Sequence, residues 1–596
     1  MSDTIPHRLW ARGRAHPDQP AYYVRRPGPS GDPSAWRPTS WRRYVEEVRE
    51  VARALIALGV EPGGRVAILG FNRPEWACFE LGAMAIGGAA AGIYTTCSPD
   101  EVAYIVGHAK ATVVLVEDEA QWRKIAARRD ALPNLRWVVT MRGAAAIDDP
   151  MVLSWDGLRA RAAEVEAAEV EARMAALARD QLACLIYTSG TTGPPKGVML
   201  SHGNLSWTAS ALIAADGAVD GDCVLSYLPL AHVAEQMASI HVPISAGAAT
   251  YYAESIDRVP DNLREVRPTV FFGVPRIWEK FHAALTARLG ELTGSKRHLV
   301  AWTRWVCGQV HGYTRRGQPV PPHLALQHRL VDRLVLRRLK AALGFDRTRV
   351  CISGAAPIAV DVLAFFAEID LPIYEIYGQS EDSGPTAFNL RGATRLGTVG
   401  RPMPGVDVRL AADGEIEVRG PNVFLGYLDE PAATAEVLVD GWLRSGDLGA
   451  FDADGFLSIT GRKKDILITA GGKNIAPKNL EAALREHPLV AEAVVIGDRR
   501  KYLTALIVLD DDAARAHLAA HGEAGPASAS PSIRAEVQGA VDRLNQTLAR
   551  VEQLKRFTIL PRALTEADGE LTPTLKVKRA GVAASFAAEI EAMYDE

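Results

Sequence analysis

Between Trp41 and Leu55 apolar side chains return every three or four residues, the period of a helix with one buried face. RVAILGF (65–71) then reads as a compact strand, PEWACFELGAMAIGG from Pro74 as a helix, and ATVVLVED (111–118) as a second strand. Strands alternating with helices predict an α/β domain built on a largely parallel sheet. The alternation continues through LACLI (182–186), CVLSYLPLAH (223–232), PTVFFGVP (268–275) and RVCISGAAP (349–357). Ligands of such sheets gather beyond the carboxyl ends of the strands, so chemistry is expected there.

Past Gly397 the pattern changes to short alternating strands broken by Asp-Gly turns, VDVRLAADGEIEVRG (406–420) and GWLRSGDLGAFDADGFLSITG (441–461), which read as hairpins of a small β-barrel over about 397–461. After RKKDILITAGGKNIAP come a helix, NLEAALREH, and two strands, EAVVIGD and TALIVLD, a small α+β unit. The expected organisation is an N-terminal domain 1–461, parallel sheets with helices plus the barrel, a junction at 462–465, and a C-terminal α+β domain 466–596. A basic insert occupies about 285–345. There Leu330, Leu334 and Leu343 alternate with Arg329, Arg333, Arg337, Arg338 and Lys340, and Gly344 is placed to cap the helix. Such a helix lies on anionic lipid, meets a charged ligand such as CoA, or packs its leucines inward with solvated arginines outside.

Composition narrows the picture. A chain of 596 residues exceeds one hydrophobic core, and a net charge of −4 argues against a nucleic-acid partner. Six scattered cysteines without a C-x-x-C pair fit a reduced, cytoplasmic chain. The polar N-terminus lacks the apolar core of a signal peptide, and the uncharged run Leu81–Pro99 is too rich in Gly and Ala to read as a membrane span. No feature of the pattern speaks to oligomeric state.

The most chemically loaded stretch is YTSGTTGPPKG (187–197), three glycines, four hydroxyl residues and Lys196 leaving an apolar strand. Glycines let backbone N–H groups turn toward an anion, and the hydroxyls and the lysine add donors and charge, so the loop suits phosphate better than it suits an ordinary turn. It is not the common P-loop: Pro195 precedes the lysine and Gly197 follows it, which leaves the metal to be held by a group elsewhere.

YTSGTTGPPKGVMLSHGN resembles the phosphate-binding signature of the adenylate-forming superfamily of acyl-CoA synthetases, luciferases and peptide-synthetase adenylation domains. The resemblance runs from about Trp41 to Arg579. It implies that Thr188, Ser189, Gly190, Thr191, Thr192, Gly193 and Lys196 bind ATP phosphates. YGQSEDSG (377–384) matches the superfamily's Y-G-x-T-E motif with Ser380 in place of Thr. Tyr377, Gly378, Gln379 and Ser380 then line the nucleotide, and Glu381 with Thr188 holds Mg²⁺, which favours few protein oxygens. Gly354, Ala355 and Ala356 of SGAAP form the adenine wall, although alone that motif says only tight turn. Asp447 takes the ribose hydroxyls and Arg462 binds ribose and phosphate. His232 lies between the substrate carboxylate and the CoA channel, with a positioning role, because a carboxylate nucleophile is already deprotonated. Lys576 in GELTPTLKVKR bridges carboxylate and α-phosphate, with Lys578 and Arg579 as neighbours that could be mistaken for it. Lys464 is the hinge on which the mobile C-terminal domain turns, bringing Gly471, Gly472 and Lys473 to CoA. An ordinary turn fits TAGGKN equally well.

RPTVFFGVPRIWEKF, the basic insert and ELTPTLKVKR look like long-chain fatty acyl-CoA synthetases, especially the bubblegum-like group. The implied activity is a long-chain fatty acid–CoA ligase with ATP, CoA and Mg²⁺, cytoplasmic, with peripheral contact to the inner face of a membrane through the insert. The alternatives are an acyl-adenylate ligase loading a carrier protein and a CoA ligase for an aryl or medium-chain acid. A peptide-synthetase module would need a carrier domain after Lys576, and an inactive acyl-binding scaffold would be expected to have lost Lys196, Glu381 or Lys576.

Overall fold

The structure, a computed structural model, describes residues 3–25, 36–188, 194–470, 474–550, 552–572 and 576–595. Its largest sheet has eight strands, in the order Gly426–Tyr427, Lys196–Ser201, Leu182–Thr188, Ala89–Ile93, Arg65–Leu69, Val113–Val116, Trp137–Thr140 and Val152–Ser154. All pairs from Leu182–Thr188 onward are parallel, and the first two strands run antiparallel to their neighbours. Continuous apolar runs make such strands because both faces are covered. Val66 and Ile68 pack into one core with the helices Trp41–Ala57 and Pro74–Ala85. Ala67 and Leu69, pointing the other way, join a second core with the helix Pro99–His108.

Two further sheets flank it. One orders Cys223–Ser226, Ala249–Tyr252, Pro20–Arg25 and Trp36–Ser40; the other orders Val270–Gly273, Val350–Ser353, Ile373–Tyr377, Ala387–Phe388 and Arg401–Pro402. The strand ends singled out from the sequence therefore come from three neighbouring sheets.

The segment expected to form a barrel is a five-stranded antiparallel sheet, Asp407–Leu410, Glu415–Arg419, Trp442–Phe451 and Leu438–Val439 in order, with Leu457–Arg462 paired to Trp442–Phe451. The Asp-Gly turns are where the pattern puts them; Asp440 and Gly441 both take positive φ, 52° and 79°, as a two-residue hairpin turn demands. What corrects the expectation is closure: among the described residues no pair joins the edge strand Asp407–Leu410 to the far edge, so the sheet stays open. Beyond it, Val490–Ile496, Leu503–Leu509 and Leu554–Ile559 form a separate three-stranded sheet, whose two apolar cores take all their buried members from Leu467 onward.

The basic insert is a helical hairpin, Gly294–Arg315 against Pro322–Val331, continued by a π turn, Asp332–Leu336, and the helix Arg337–Leu343, which Gly344 ends at φ 83°. Val306, Cys307, Val310, Leu324, Val331 and Leu336 make its own small core. Leu330 and Leu334 do not join it; they are exposed, which overturns the inward reading for these two, while Leu343 packs against a neighbouring core. For Leu334 the π turn is the reason. An unbroken α-helix would put residue 334 or 335 on the face of Val331, and the extra residue per turn hands that place to Leu336.

Asp370, at φ 59° after the helix Val360–Glu368, locks the insert to the domain. It accepts from His311 Nε2 at 2.8 Å, approaches His328 Nε2 at 3.2 Å and pairs with Lys340, one group from each helix of the insert. Burial works against the Asp370 carboxylate, but the two histidines and Lys340 hold its pKa far below the usual range; Asp370 in turn raises that of His328 above 6.5. Asp370→Asn keeps a left-handed backbone acceptable to Asn and removes the charge. Urea unfolding should register a loss of about 3 kcal/mol. In the parent, the His328 contribution is full below its ordinary pKa and fades as pH rises through the raised folded value. A variant as stable as the parent across that range would show that Asp370 does not hold the insert.

Candidate active site

The antiparallel pairing of Trp442–Phe451 with Leu457–Arg462 sets Asp447 opposite Arg462. Their side chains meet, Arg462 Nε to Asp447 Oδ1 at 2.7 Å, and the Tyr377 hydroxyl donates to Asp447 Oδ2 at 2.9 Å from the end of the strand Ile373–Tyr377. Asp447 is 7% exposed, so its charge depends on these partners. Burial, then the nearby Asp447, push the Tyr377 phenol well above its ordinary value and keep it a donor.

The turn after Tyr377 is set by sterics. A Cβ on Gly378 would lie 1.4 Å from the Gly384 carbonyl oxygen, so only glycine fits, and Gly384 takes φ 117°. Gln379 donates its backbone N–H to Asp382 Oδ1 at 2.8 Å and its side chain reaches the Ser445 carbonyl at 3.4 Å. Asp382 is wholly buried, which pushes its carboxyl up to about 8, while Thr386 and the Gln379 N–H hold it in place. Ser380 is buried, and Glu381, in the same turn, is half-buried. At the end of Val350–Ser353 lie Gly354, Ala355 and Ala356; Ala355 is exposed and held at φ 69°. A non-glycine residue at such an angle stores strain that ordinary turns do without.

Thr188 closes the strand Leu182–Thr188 and pairs across the sheet with Lys196, which opens the next. Ser189, Gly190, Thr191, Thr192 and Gly193 between them lie outside the described residues, as do Gly471, Gly472 and Lys473. His232 caps the short helix Val233–Gln236, its Nδ1 accepting from the Ala234 N–H at 3.2 Å. Burial and the charge of Lys576 push its pKa down to about 4, so it is neutral near pH 7.

Lys576 sits at the head of a small bridge: its N–H donates to Thr572 Oγ1 at 3.0 Å, Thr572 N–H returns to its carbonyl at 2.8 Å, and Leu571 pairs with Val577. The side chain keeps contact with solvent, yet stands deep among protein atoms; that crowding, followed by repulsion from Arg462 and Lys478, pushes its ammonium down to about 8 against the pull of Asp447 and Glu381. Arg579 is occupied elsewhere, donating to the Val495 carbonyl at 2.9 Å and paired with Glu481. Lys464 lies exposed in the turn that follows Leu457–Arg462. The arrangement thus gathers two cations, Lys576 and Arg462, and two carboxylates, Glu381 and Asp447, from separate segments of the chain.

Comparison with known proteins reads the same way. The profile described as AMP-binding enzyme matches residues 9–428. The chain belongs to that family. The profile of the AMP-binding enzyme C-terminal domain matches residues 464–596. Among curated relatives, long-chain-fatty-acid–CoA ligase FadD15 of Mycobacterium tuberculosis is 38% identical over 571 residues, covering 94% of this chain and 93% of its own. Long-chain-fatty-acid–CoA ligase ACSBG2 of Xenopus laevis is 35% identical, covering 96% and 82%. Among solved structures, the adenylation domain of a carboxylate reductase from Mycobacterium chelonae superposes with a TM-score of 0.75 at 22% identity, covering 100% of this chain and 92% of that one. A Mycobacterium tuberculosis fatty acyl CoA synthetase gives 0.63 at 22%, covering 98% and 99%. At that identity the structures speak for the fold.

One residue of this candidate site escaped the sequence. Tyr427 donates its hydroxyl to Glu381 Oε1 at 2.9 Å, and its ring lies 4.8 Å beneath Lys196 Nζ, which also stands 3.9 Å from Glu430. It is held there because Gly426–Tyr427 adds an edge to the strand opened by Lys196. A two-residue strand has no periodicity to read; a glycine-aromatic pair in FLGYLD was the only signal. Tyr427→Phe removes the hydroxyl and keeps the ring under the lysine. ATP–pyrophosphate exchange should fall about tenfold with a raised KM for ATP, while stability moves by no more than about 1.5 kcal/mol. Exchange kinetics equal to the parent's would show that the hydroxyl does not orient Glu381.

Proposed function

We propose that this protein is a long-chain fatty acid–CoA ligase that joins a fatty acid to AMP with release of pyrophosphate and then transfers the acyl group to the thiol of CoA with release of AMP. The observation that carries the reading is the gathering of Lys576 with Arg462, Asp447, Glu381 and His232. Relatives named long-chain-fatty-acid–CoA ligases, aligned over 94% of the chain, supply the substrate class.

In adenylation the fatty carboxylate attacks the α-phosphorus, and two anions must be brought together. Lys576, charged below about 8, bridges them and steadies the charge that builds on phosphorus. His232, neutral, orients the carboxylate and takes no proton. Asp447 receives the ribose hydroxyls, its second role after holding Arg462, and Tyr377 with Gly354, Ala355 and Ala356 encloses the adenine. Lys196 and the loop 188–193 take the outer phosphates.

The donors fit a hard cation that keeps most of its shell for phosphate and water. Among the described residues no cluster of three or more His, Cys, Asp and Glu is placed to hold a metal, while Glu381 presents one oriented carboxylate. Glu381 and Thr188 would hold Mg²⁺, which when bound neutralises charge on the phosphates. In the second half-reaction Lys576 must leave. The domain 466–596 turns at Lys464, bringing Gly471, Gly472 and Lys473 toward the acyl-adenylate so that pantetheine can pass. We further infer a cytoplasmic enzyme working at the inner face of a membrane, approached through the basic insert; among the described residues no helix is long and apolar enough to cross one.

Incubation with ATP, Mg²⁺ and acids from short to very long chain, with and without CoA, should yield long-chain acyl-CoA and AMP by mass. Acyl-adenylate that CoA does not discharge would instead assign a carrier protein as acceptor. Lys576→Ala should slow adenylation on the order of 10²- to 10³-fold and leave thioester formation from supplied acyl-adenylate largely intact. In the parent, adenylation should decline as pH rises through about 8, because the ammonium is lost there. Equal losses in both half-reactions would remove Lys576 from this role.

A further inference from the structure

We propose that the outward face of the insert from Leu326 to Arg338, which runs from its second helix through the π turn into the third, is a docking surface for an anionic lipid bilayer. This deepens the membrane contact proposed above by naming the face, the residues and the lipid chemistry. It is independent of the acyl substrate.

The observations are geometric and electrostatic. Leu326, Leu330 and Leu334 recur every four residues and are 68%, 49% and 47% exposed, a ridge of three aliphatic side chains in water. Beside it runs a second exposed ridge, Arg329, Arg333 and Arg337. Arg337 is matched to Asp332 at 2.8 Å; among the described residues Arg329, Arg333 and Arg338 have no ion pair. The opposite side of the helix is fully used, Leu324, Val331 and Leu336 in the insert's core and His328 with Lys340 on Asp370. The hairpin is therefore anchored on its other side, while among the described residues none covers this face. On the neighbouring helix Trp305 is 54% exposed. From Phe281 to Phe345 the chain carries eleven Lys and Arg against two acids, Glu291 and Asp332, although its overall charge is −4.

Three occupants were weighed on charge and shape. A second copy offering the same face would set arginine against arginine. CoA would satisfy the arginines and leave the leucines in water. A bilayer with anionic headgroups serves both ridges, taking the leucines at the acyl boundary and the guanidiniums at the phosphates. The phase shift of the π turn is what exposes Leu334, so the surface is a product of the fold.

Full-length protein is sedimented with vesicles of phosphatidylcholine alone and of phosphatidylcholine mixed with phosphatidylglycerol, without substrate, at low and high salt. The expected result is binding to the anionic vesicles that weakens with salt. Leu326→Gln/Leu330→Gln/Leu334→Gln should weaken it about 100-fold. Arg329→Gln/Arg333→Gln/Arg338→Gln should do so by a similar factor and abolish the salt dependence. Thermal melting of both variants, and their turnover of a short, water-soluble acid, should match the parent, since none of the six residues is buried or near the proposed site. Absence of binding to anionic vesicles, or binding unchanged in the leucine variant, overturns the proposal. So does a leucine variant that changes the size of the particle in solution, which marks an interface between copies, or an arginine variant that raises KM for CoA, which marks a ligand site.

Discussion

The contact on which the arrangement depends is the Asp447 carboxylate, enclosed between the Arg462 guanidinium and the Tyr377 hydroxyl. A buried charge of this kind is tolerated only when its partners stay in place. Those partners come from different parts of the fold: Tyr377 from a mixed sheet, Arg462 from the last strand before the C-terminal region. The pair thus ties the nucleotide end of one sheet to the point where the chain passes onward. Because the passage is held at Arg462, a lysine more than a hundred residues later is delivered to the same cleft.

The cleft is electrostatically incomplete without an anion. Crowding by protein atoms, and after it repulsion from Arg462 and Lys478, lowers the pKa of Lys576 to about 8 against the pull of Asp447 and Glu381. A ligand with several phosphate charges removes that repulsion, so the electrostatic cost of gathering the cations is met during folding and recovered on binding. Backbone strain is also present here: Ala355 and Ser383, in the turns that carry Gly354 and Glu381, take positive φ, 69° and 61°. Rigidity elsewhere makes this affordable. The eight-stranded sheet is covered on both faces, and the strand ends that carry the site move little relative to one another when their cores are close-packed.

The insert shows a second use of charge. Asp370 draws three cationic or titratable groups onto one carboxylate and so fixes a hairpin that is otherwise dominated by arginine. What remains unsatisfied points outward. Charge that is neutralised inside and left free outside gives a segment both a fixed orientation and a surface with a purpose.

The sequence by itself determined the alternation of strands and helices, because that is written locally, and through the family resemblance it named the candidate site residues. Apolar runs bounded by Gly and Pro mark strand ends and Asp-Gly pairs set hairpin registers; Asp447, which GWLRSGDLG suggests lies in a turn, stands instead within Trp442–Phe451 opposite Arg462, a placement that only the strand pairing gives. Only the tertiary structure decided what depends on contacts between distant segments. Tyr427 could not be found from periodicity, since its role comes from pairing with a strand more than two hundred residues earlier and from a hydroxyl aimed at Glu381. Leu334 of the insert was read as facing inward from the helical pattern, because one π turn shifts the phase and leaves no local mark in residue type. An open sheet replaced the expected barrel for a related reason: alternation specifies strands and hairpins, but closure requires two edge strands to meet, and that is settled by what packs around them.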